Sequence, residues 1–493
     1  MVSMRSAGGW PLVAAFAAAA VLGASQPVCA ASAPVHERPV VASAPGGPVV
    51  VSGAASTPTL MMSLRPAVTP PPVAASLGPS LRAPQAPVKS ATRLRLRGEL
   101  RVRHETRGVF DYRVPGTFGR LSAQTVGAGG DVSLVRTRAG ADVRLAPRLR
   151  GSVGVEDARA LDITGAAGTS LATFDLEHAW VEFDSFAGRR VSARIGRQPL
   201  GCSENHILGG GEWSNRGRAY DGARMRWAPA RAAVEGFVAQ VHDAGSRASR
   251  RGLSGIDVQW RTTRRFEAEG YHLERAWAGA AATSESGVTG GLFDATTGLR
   301  TRARLGLWEL RTEGAVQRGR RAGDEIGAWF GDARLTACLN SAWRTRIAFE
   351  RLSASGDRSP ADGTYQRFAP LDRPGGPPDA LAIRGLSNIV DWCGMLTAQT
   401  APGWTVQAEV HQLSLASATD AWVDADGNAI RRDPAGASGT GLGQEFDVRV
   451  TWQAGPSASL IGVASRFSDG AFVQATGGGG AASGAYLQVV LGY

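Results

Sequence analysis

Lysine is almost missing from this chain of 493 residues: Lys89 is the only one, although lysine and arginine together number 54. The formal balance of +11 is therefore an arginine balance. Arginine keeps its charge when partly buried and binds carboxylates through two parallel hydrogen bonds. The arginines alternate with apolar residues instead of clustering in tails, which argues against a nucleic-acid partner. Cysteine is scarce as well. Cys29, Cys202, Cys338 and Cys393 make no Cys-x-x-Cys pair, so they imply neither a disulfide framework nor a metal cage. Histidine totals seven, and none sits beside a serine in a nucleophile motif, so nothing supports an enzyme. His178, next to Glu177, and His411, two residues after Glu409, read as wall residues. The run Gly209–Gly211 lacks the Lys-Ser/Thr that completes a phosphate cradle. Asp424, Asp426 and Asn428 lack the glycine order of a calcium loop and read as a solvated hairpin tip. No cofactor and no metal are implied.

What is present divides the chain into three. Residues 1–30 read as a secretory signal, with Arg5 in a charged start, an apolar run from Trp10 to Ala24, and a small-residue cleavage site at Val28-Cys29-Ala30. That run is too short for a membrane-spanning helix. Residues 31–92 hold twelve prolines from Pro34 to Pro87 and read as an extended, disordered periplasmic linker. Such a tether can also reach for the cell wall or a periplasmic partner.

From Arg93 the period becomes two. Arg93, Arg95, Arg97, Glu99, Arg101 and Arg103 alternate with Leu94, Leu96, Gly98, Leu100 and Val102, and the pattern recurs to the end of the chain with no polyapolar helix. Repeated strands with one apolar and one charged face mark a wall with lipid on one side and water on the other. The fold class expected over 93–493 is all-β, a transmembrane antiparallel β-barrel of about eighteen strands in contact with outer-membrane lipid. Candidate strands lie near 93–103, 132–146, 149–158, 174–184, 190–198, 219–228, 232–242, 252–262, 265–274, 297–305, 308–318, 325–338, 343–355, 385–398, 404–416, 443–453, 458–468 and 484–493. Short connections such as Ala146-Pro147-Arg148 and Ala228-Pro229-Ala230 alternate with long ones near 104–131, 159–173, 199–218, 275–296, 356–384 and 417–442. Short periplasmic turns, long extracellular loops and periplasmic termini fit that alternation. Trp227, Trp260, Trp308 and Trp452 fall near strand ends, as interfacial girdles do. The last strand ends on Tyr493, an aromatic terminus of the sort the barrel assembly machinery reads.

One stretch is more specific. Gly196-Arg197-Gln198 closes a strand, Trp213-Ser214-Asn215 lies in the following loop, and Tyr220-Asp221-Gly222 opens the next strand. Later come Asp420-Ala421-Trp422, Arg431-Arg432-Asp433 and Gly443-Gln444-Glu445-Phe446-Asp447. This set resembles the alginate export family of outer-membrane β-barrels and covers about 93–493. The resemblance implies an eighteen-stranded barrel in the outer membrane of a Gram-negative bacterium, moving an acidic, uronate-type polysaccharide outward without covalent chemistry.

By parity, the lumen face carries Arg136, Arg138, Asp142, Arg144, Arg194, Arg224, Arg226, Arg302, Arg304, Arg346, Glu445, Asp447 and Arg449, with Arg300, Arg344, Glu309, Glu313, Glu350 and Glu409 beside them. Arg197 is off parity and joins this pore-lining set through the family motif. An eighteen-stranded barrel leaves an aqueous channel. Surplus arginine on its wall attracts anions, whereas fully paired charges only stiffen it. The expected partner is therefore an acidic polysaccharide or another anionic solute. Two other readings stay open: a general or anion-selective diffusion porin, and an exported soluble β-rich protein that binds or acts on carbohydrate.

Overall fold

Apolar-polar alternation over eighteen segments produces eighteen wall strands in the computed structural model. It describes residues 93–493 except 109–129, 162–170, 185–189, 203–205, 211–212, 243–250, 264, 340–341, 372–380, 382, 426 and 478–479. The expected signal and linker lie outside the described residues. In chain order the strands are β1 Arg93–Gly108, β2 Gly130–Ala146, β3 Leu149–Leu161, β4 Leu171–Phe183, β5 Val191–Gln198, β6 Ala219–Trp227, β7 Ala232–His242, β8 Arg251–Thr263 and β9 Phe266–Thr283. They continue with β10 Thr289–Leu305, β11 Trp308–Arg321, β12 Asp324–Cys338, β13 Arg346–Ala354, β14 Ile389–Ala401, β15 Trp404–Ser414, β16 Gly441–Gly455, β17 Ala458–Asp469 and β18 Ala482–Gly492.

Each strand pairs antiparallel with its sequence neighbours, and β1 pairs with both β2 and β18, so the sheet closes on itself. Closure leaves no wall edge, so strand backbone groups find their partners within the wall instead of in water. A two-residue strand, Thr364–Tyr365, adds parallel to Glu325 and Ile326 of β12 from inside a loop. At the seam the Gly98 N–H donates to the Tyr493 carbonyl at 3.3 Å and the Tyr493 N–H to the Gly98 carbonyl at 3.1 Å.

The outward face is apolar and exposed, with Leu100, Val153, Ile195, Met225, Val258, Leu299, Leu335, Val410 and Leu487 on it. Trp227, Trp260, Trp308 and Trp452 are outward at the short-turn end, between 38% and 54% exposed. A sandwich would bury such faces against a second sheet; here lipid is the partner.

One long-loop expectation is corrected. Residues 275–296 are not a long loop: β9 and β10 run on to Thr283 and from Thr289, joined by 284–288. The next connection on that side, between Arg321 and Asp324, is only a two-residue turn, with Ala322 at φ 49°. Cys202 and Cys393 are free and buried.

Candidate pore and the loops that fill it

Local geometry explains the motif at β5 and β6. Gly196 has φ +124° and a Cβ there would lie 2.2 Å from the Ala179 carbonyl, so only glycine fits beside β4. A Cβ on Gly222 would likewise lie 2.2 Å from the Val238 carbonyl. The Gln198 amide, 1% exposed, donates to the carbonyls of both glycines at 3.3 and 3.2 Å. Arg197 grips Asp221 with two bonds, Nε to Oδ1 at 2.7 Å and Nη2 to Oδ2 at 3.0 Å. It also reaches Asp175 at 3.6 Å and the His242 ring at 3.1 Å. The structure thus places Arg197 in a clamp joining β4 to β7 at the long-loop rim.

The other residues assigned to the lumen face are mostly held in ion pairs. Arg136 meets Glu99 at 2.6 Å, and Arg138 meets Glu156 at 2.7 Å and Glu177 at 3.1 Å. Asp142 takes Arg97 at 2.9 Å, and Arg194 binds Glu182, which also holds Arg150. Arg224 and Arg226 share Glu235 at 3.4 and 3.6 Å. Arg302 and Arg304, with Arg311, surround Glu309 at 3.1, 2.9 and 2.7 Å. Arg300 pairs with Glu269. Glu445 and Asp447 receive Arg384 at 3.0 and 3.3 Å. Among the described residues Arg144, Arg346 and Arg449 have no salt bridge. Arg344 lies in the turn before β13 at φ 47°, not on a strand.

The positive surplus is concentrated elsewhere. Arg93, Arg95, Arg148, Arg190, Arg231 and Arg265 stand exposed around the short-turn end, without an ion pair among the described residues. The carboxylate of Asp184 at that end already takes Arg150 at 3.2 Å. Most of these arginines lie in turns, where strand parity says nothing, so alternation could not assign them.

Toward the long-loop end the lumen is packed with side chains. Ile207 and Leu208 from loop 199–218, Phe368 and Leu371 from loop 355–388, and Trp422 from the hairpin 422–431 are 0–1% exposed. They join wall residues Leu273, Phe330, Leu413 and Phe467 in one apolar cluster, with Phe330 stacked on Phe368 at 5.6 Å. The one-turn helix Ala471–Ala475 buries Phe472 and Val473 in the same cluster. The Trp422 indole donates to the Ile383 carbonyl at 2.9 Å, and Arg367 binds the fully buried Asp420. Asp424 accepts the Asn428 N–H at 2.8 Å, closing a hairpin tip at which Asn428 is exposed but Asp424, expected to be solvated, is buried at 5% exposure; Asp426 lies outside the described residues.

Arg384 was not legible as a wall ligand because it belongs to a loop. It places one guanidinium among Asp391, Glu445, Asp447 and the His411 ring. Glu409, His411 and Asp447 converge closely enough to hold a metal ion, but that guanidinium stands 2.9 Å from the ring and supplies the positive charge itself. Cys202, Asp257 and Glu269 also converge, with Arg300 already on Glu269.

A closed eighteen-stranded antiparallel barrel, apolar outside and ion-paired inside, with inward-folded loops at one end, defines an outer-membrane channel. The alginate export family model matches residues 110–484, and the chain belongs to that family. No curated protein matches the chain by sequence. Solved structures share the fold: Pseudomonas aeruginosa OccK7 (OpdD) has a TM-score of 0.54 at 12% identity over 81% of this chain and 98% of its own. P. aeruginosa OccK2 (OpdF) in complex with glucuronate also gives 0.54 at 12% identity, over 81% and 97%. P. aeruginosa OccK11 (OpdR) gives 0.51 at 13% identity, over 81% and 95%. The barrel lies in the Gram-negative outer membrane.

Proposed function

We propose that the channel passes an anionic solute, and that the solute is an acidic, uronate-type polysaccharide leaving the periplasm. The observation that carries this reading is the set of exposed arginines at the short-turn mouth that have no ion pair among the described residues, at the end that faces the periplasm in outer-membrane barrels. Fixed cations act over a Debye length of roughly 8 Å at physiological salt. Several at one mouth therefore raise the local concentration of an anion, most strongly for a chain that meets many at once. The paired arginines behind them hold the wall rigid, and Arg346 and Arg449 stand along the path without a salt bridge among the described residues. The glucuronate bound to a fold neighbour is a uronate carboxylate, the chemistry such a mouth favours. Because that ligand is a single sugar, passage of small anions is the second reading.

The test is ion selectivity in a planar bilayer under a salt gradient, with oligouronates of increasing length added to the short-turn side. Anion preference together with current blockade that strengthens with chain length is the expected result. Blockade by monomers alone would favour the small-solute reading, and cation preference would overturn both.

A further inference from the structure

The described residues of loop 199–218 do not project outward from β5 and β6; 206–208 and 213–217 are fastened to opposite sides of the wall. On one side His206 Nδ1 lies 3.2 Å from Glu313 of β11, its ring packs on Phe330 of β12, and the Ile207 carbonyl accepts the Leu371 N–H at 2.9 Å. On the other side Trp213, Ser214 and Asn215 meet β1, β2, β3 and β18. In a ring of eighteen strands, β1 and β11 stand on opposite sides.

The fastening on β1 is made by two arginines whose side chains are nearly dry, Arg101 at 4% and Arg103 at 3% exposure. Arg101 Nη2 donates to the Ser214 carbonyl at 2.7 Å and to Asn215 Oδ1 at 3.4 Å. Arg103 Nη1 donates to the Trp213 carbonyl at 2.9 Å, and its guanidinium carbon stands 3.9 Å above the Trp213 ring. That ring packs against Tyr486 of β18 at 4.8 Å. The Asn215 amide donates to the carbonyls of Arg159 at 2.9 Å and Val135 at 3.3 Å, and the Gly217 N–H donates to Glu156 at 3.0 Å. A Cβ on Gly217 would press on the Arg138 guanidinium at 2.5 Å.

We infer that Arg101 and Arg103 are positioning residues that latch Trp213-Ser214-Asn215 to the wall and so hold the described part of this loop as a strap in the channel. The motif that marks the family is on this account the strap's buckle. Arg103 keeps its charge compensated through Nε, which pairs with Glu105 of the same strand at 2.7 Å, and this leaves its Nη1 and its face for the loop. Guanidinium is suited to the task because its fixed fork aims several N–H groups at once while its face stacks on an indole. A lysine carries the same charge but offers neither the fork nor the stacking plane.

This inference rests on the channel reading for its electrical readout, so two measurements are made. In bilayers, Arg101→Ala/Arg103→Ala should raise unit conductance by about twofold or more and add gating noise, since a freed strap no longer narrows the path. Arg101→Lys/Arg103→Lys should behave as the alanine pair does. Trp213→Ala/Asn215→Ala should do the same from the strap side, and combining the two sets should add little. Hydrogen exchange in detergent reads the latch whether or not the protein conducts. Amides of 213–218 should be slow in the natural protein and faster by about tenfold or more in either pair, with barrel strands unchanged. Unchanged exchange at 213–218 in folded variants overturns the latch. Full recovery of slow exchange and native conductance by the lysine pair would show that only charge matters at these positions. A natural protein that carries no current while its variants lose exchange protection would overturn the channel reading and leave the latch standing.

Discussion

Neutralising one carboxylate should change selectivity more cleanly than reversing an arginine. Arg138 and Arg194 rest on Glu156 and Glu182, whose side chains are only 4% and 5% exposed. A glutamate in place of either arginine would set two acids together in a poorly solvated site and threaten the wall itself. Glu309 offers the opposite case. Its side chain is 15% exposed, open enough to act on the lumen, and it compensates Arg302, Arg304 and Arg311 within 3.1 Å. Glu309→Gln keeps an oxygen acceptor for those guanidinium groups and releases one net positive charge. An anion passing at about 8 Å, with an effective dielectric of about 40 between protein-surface and bulk values, gains roughly 1 kcal/mol. That corresponds to about a fivefold rise in anion partition at this level of the channel, diminishing as salt is raised. Reversal potentials measured at low and high salt for the natural and E309Q proteins give the answer, with heat-modifiable gel mobility confirming the fold. An unchanged permeability ratio at low salt would show that ions do not pass this cluster, and the wall assignment on β10 and β11 would fall.

Two further outcomes follow from loop and seam. Asp357 lies near the start of loop 355–388, where its N–H donates to Asp420 at 2.8 Å, and its neighbours are Glu285, Asp420 and Arg367. Burial first, and then the hydrogen bond and charge of Glu285, push its carboxyl up to about 7. The folded loop therefore favours the protonated acid, and its packing weakens as pH rises from the ordinary carboxylate range through about 7. Proteolysis of this loop should be slower near about pH 5.5 than about pH 8.5, and Asp357→Asn should remove the difference; a persisting difference would locate the titration elsewhere. At the seam, a Cβ on Gly98 would lie 1.6 Å from the Tyr493 ring. Gly98→Val and deletion of Tyr493 should each lower the yield of heat-modifiable barrel, and equal yields would remove this closure from the requirements of assembly.

The sequence by itself determined the wall. Two-residue alternation is a local property, written wherever one face meets lipid, so the segment around Val191, Ala193 and Ile195 needed no tertiary information to be placed. The same holds for Ala223, Met225 and Trp227, and all eighteen expected segments have a strand in the barrel. The family motif was equally legible because its glycines answer to close backbone approaches at Gly196 and Gly222. Partners across the lumen were not legible. Arg103 and Trp213 are 110 positions apart along the chain, and Arg384 meets Asp447 only because a loop turns inward after β13. Parity gives a face but not the carboxylate opposite, so it could not show that most wall arginines are already compensated. Nor could it find the exposed arginines of the turns, which lie outside any strand period. Strand character follows from the nearest solvent; which charge remains unpaired, and which loop fills the barrel, is decided only when distant segments are brought within hydrogen-bond reach.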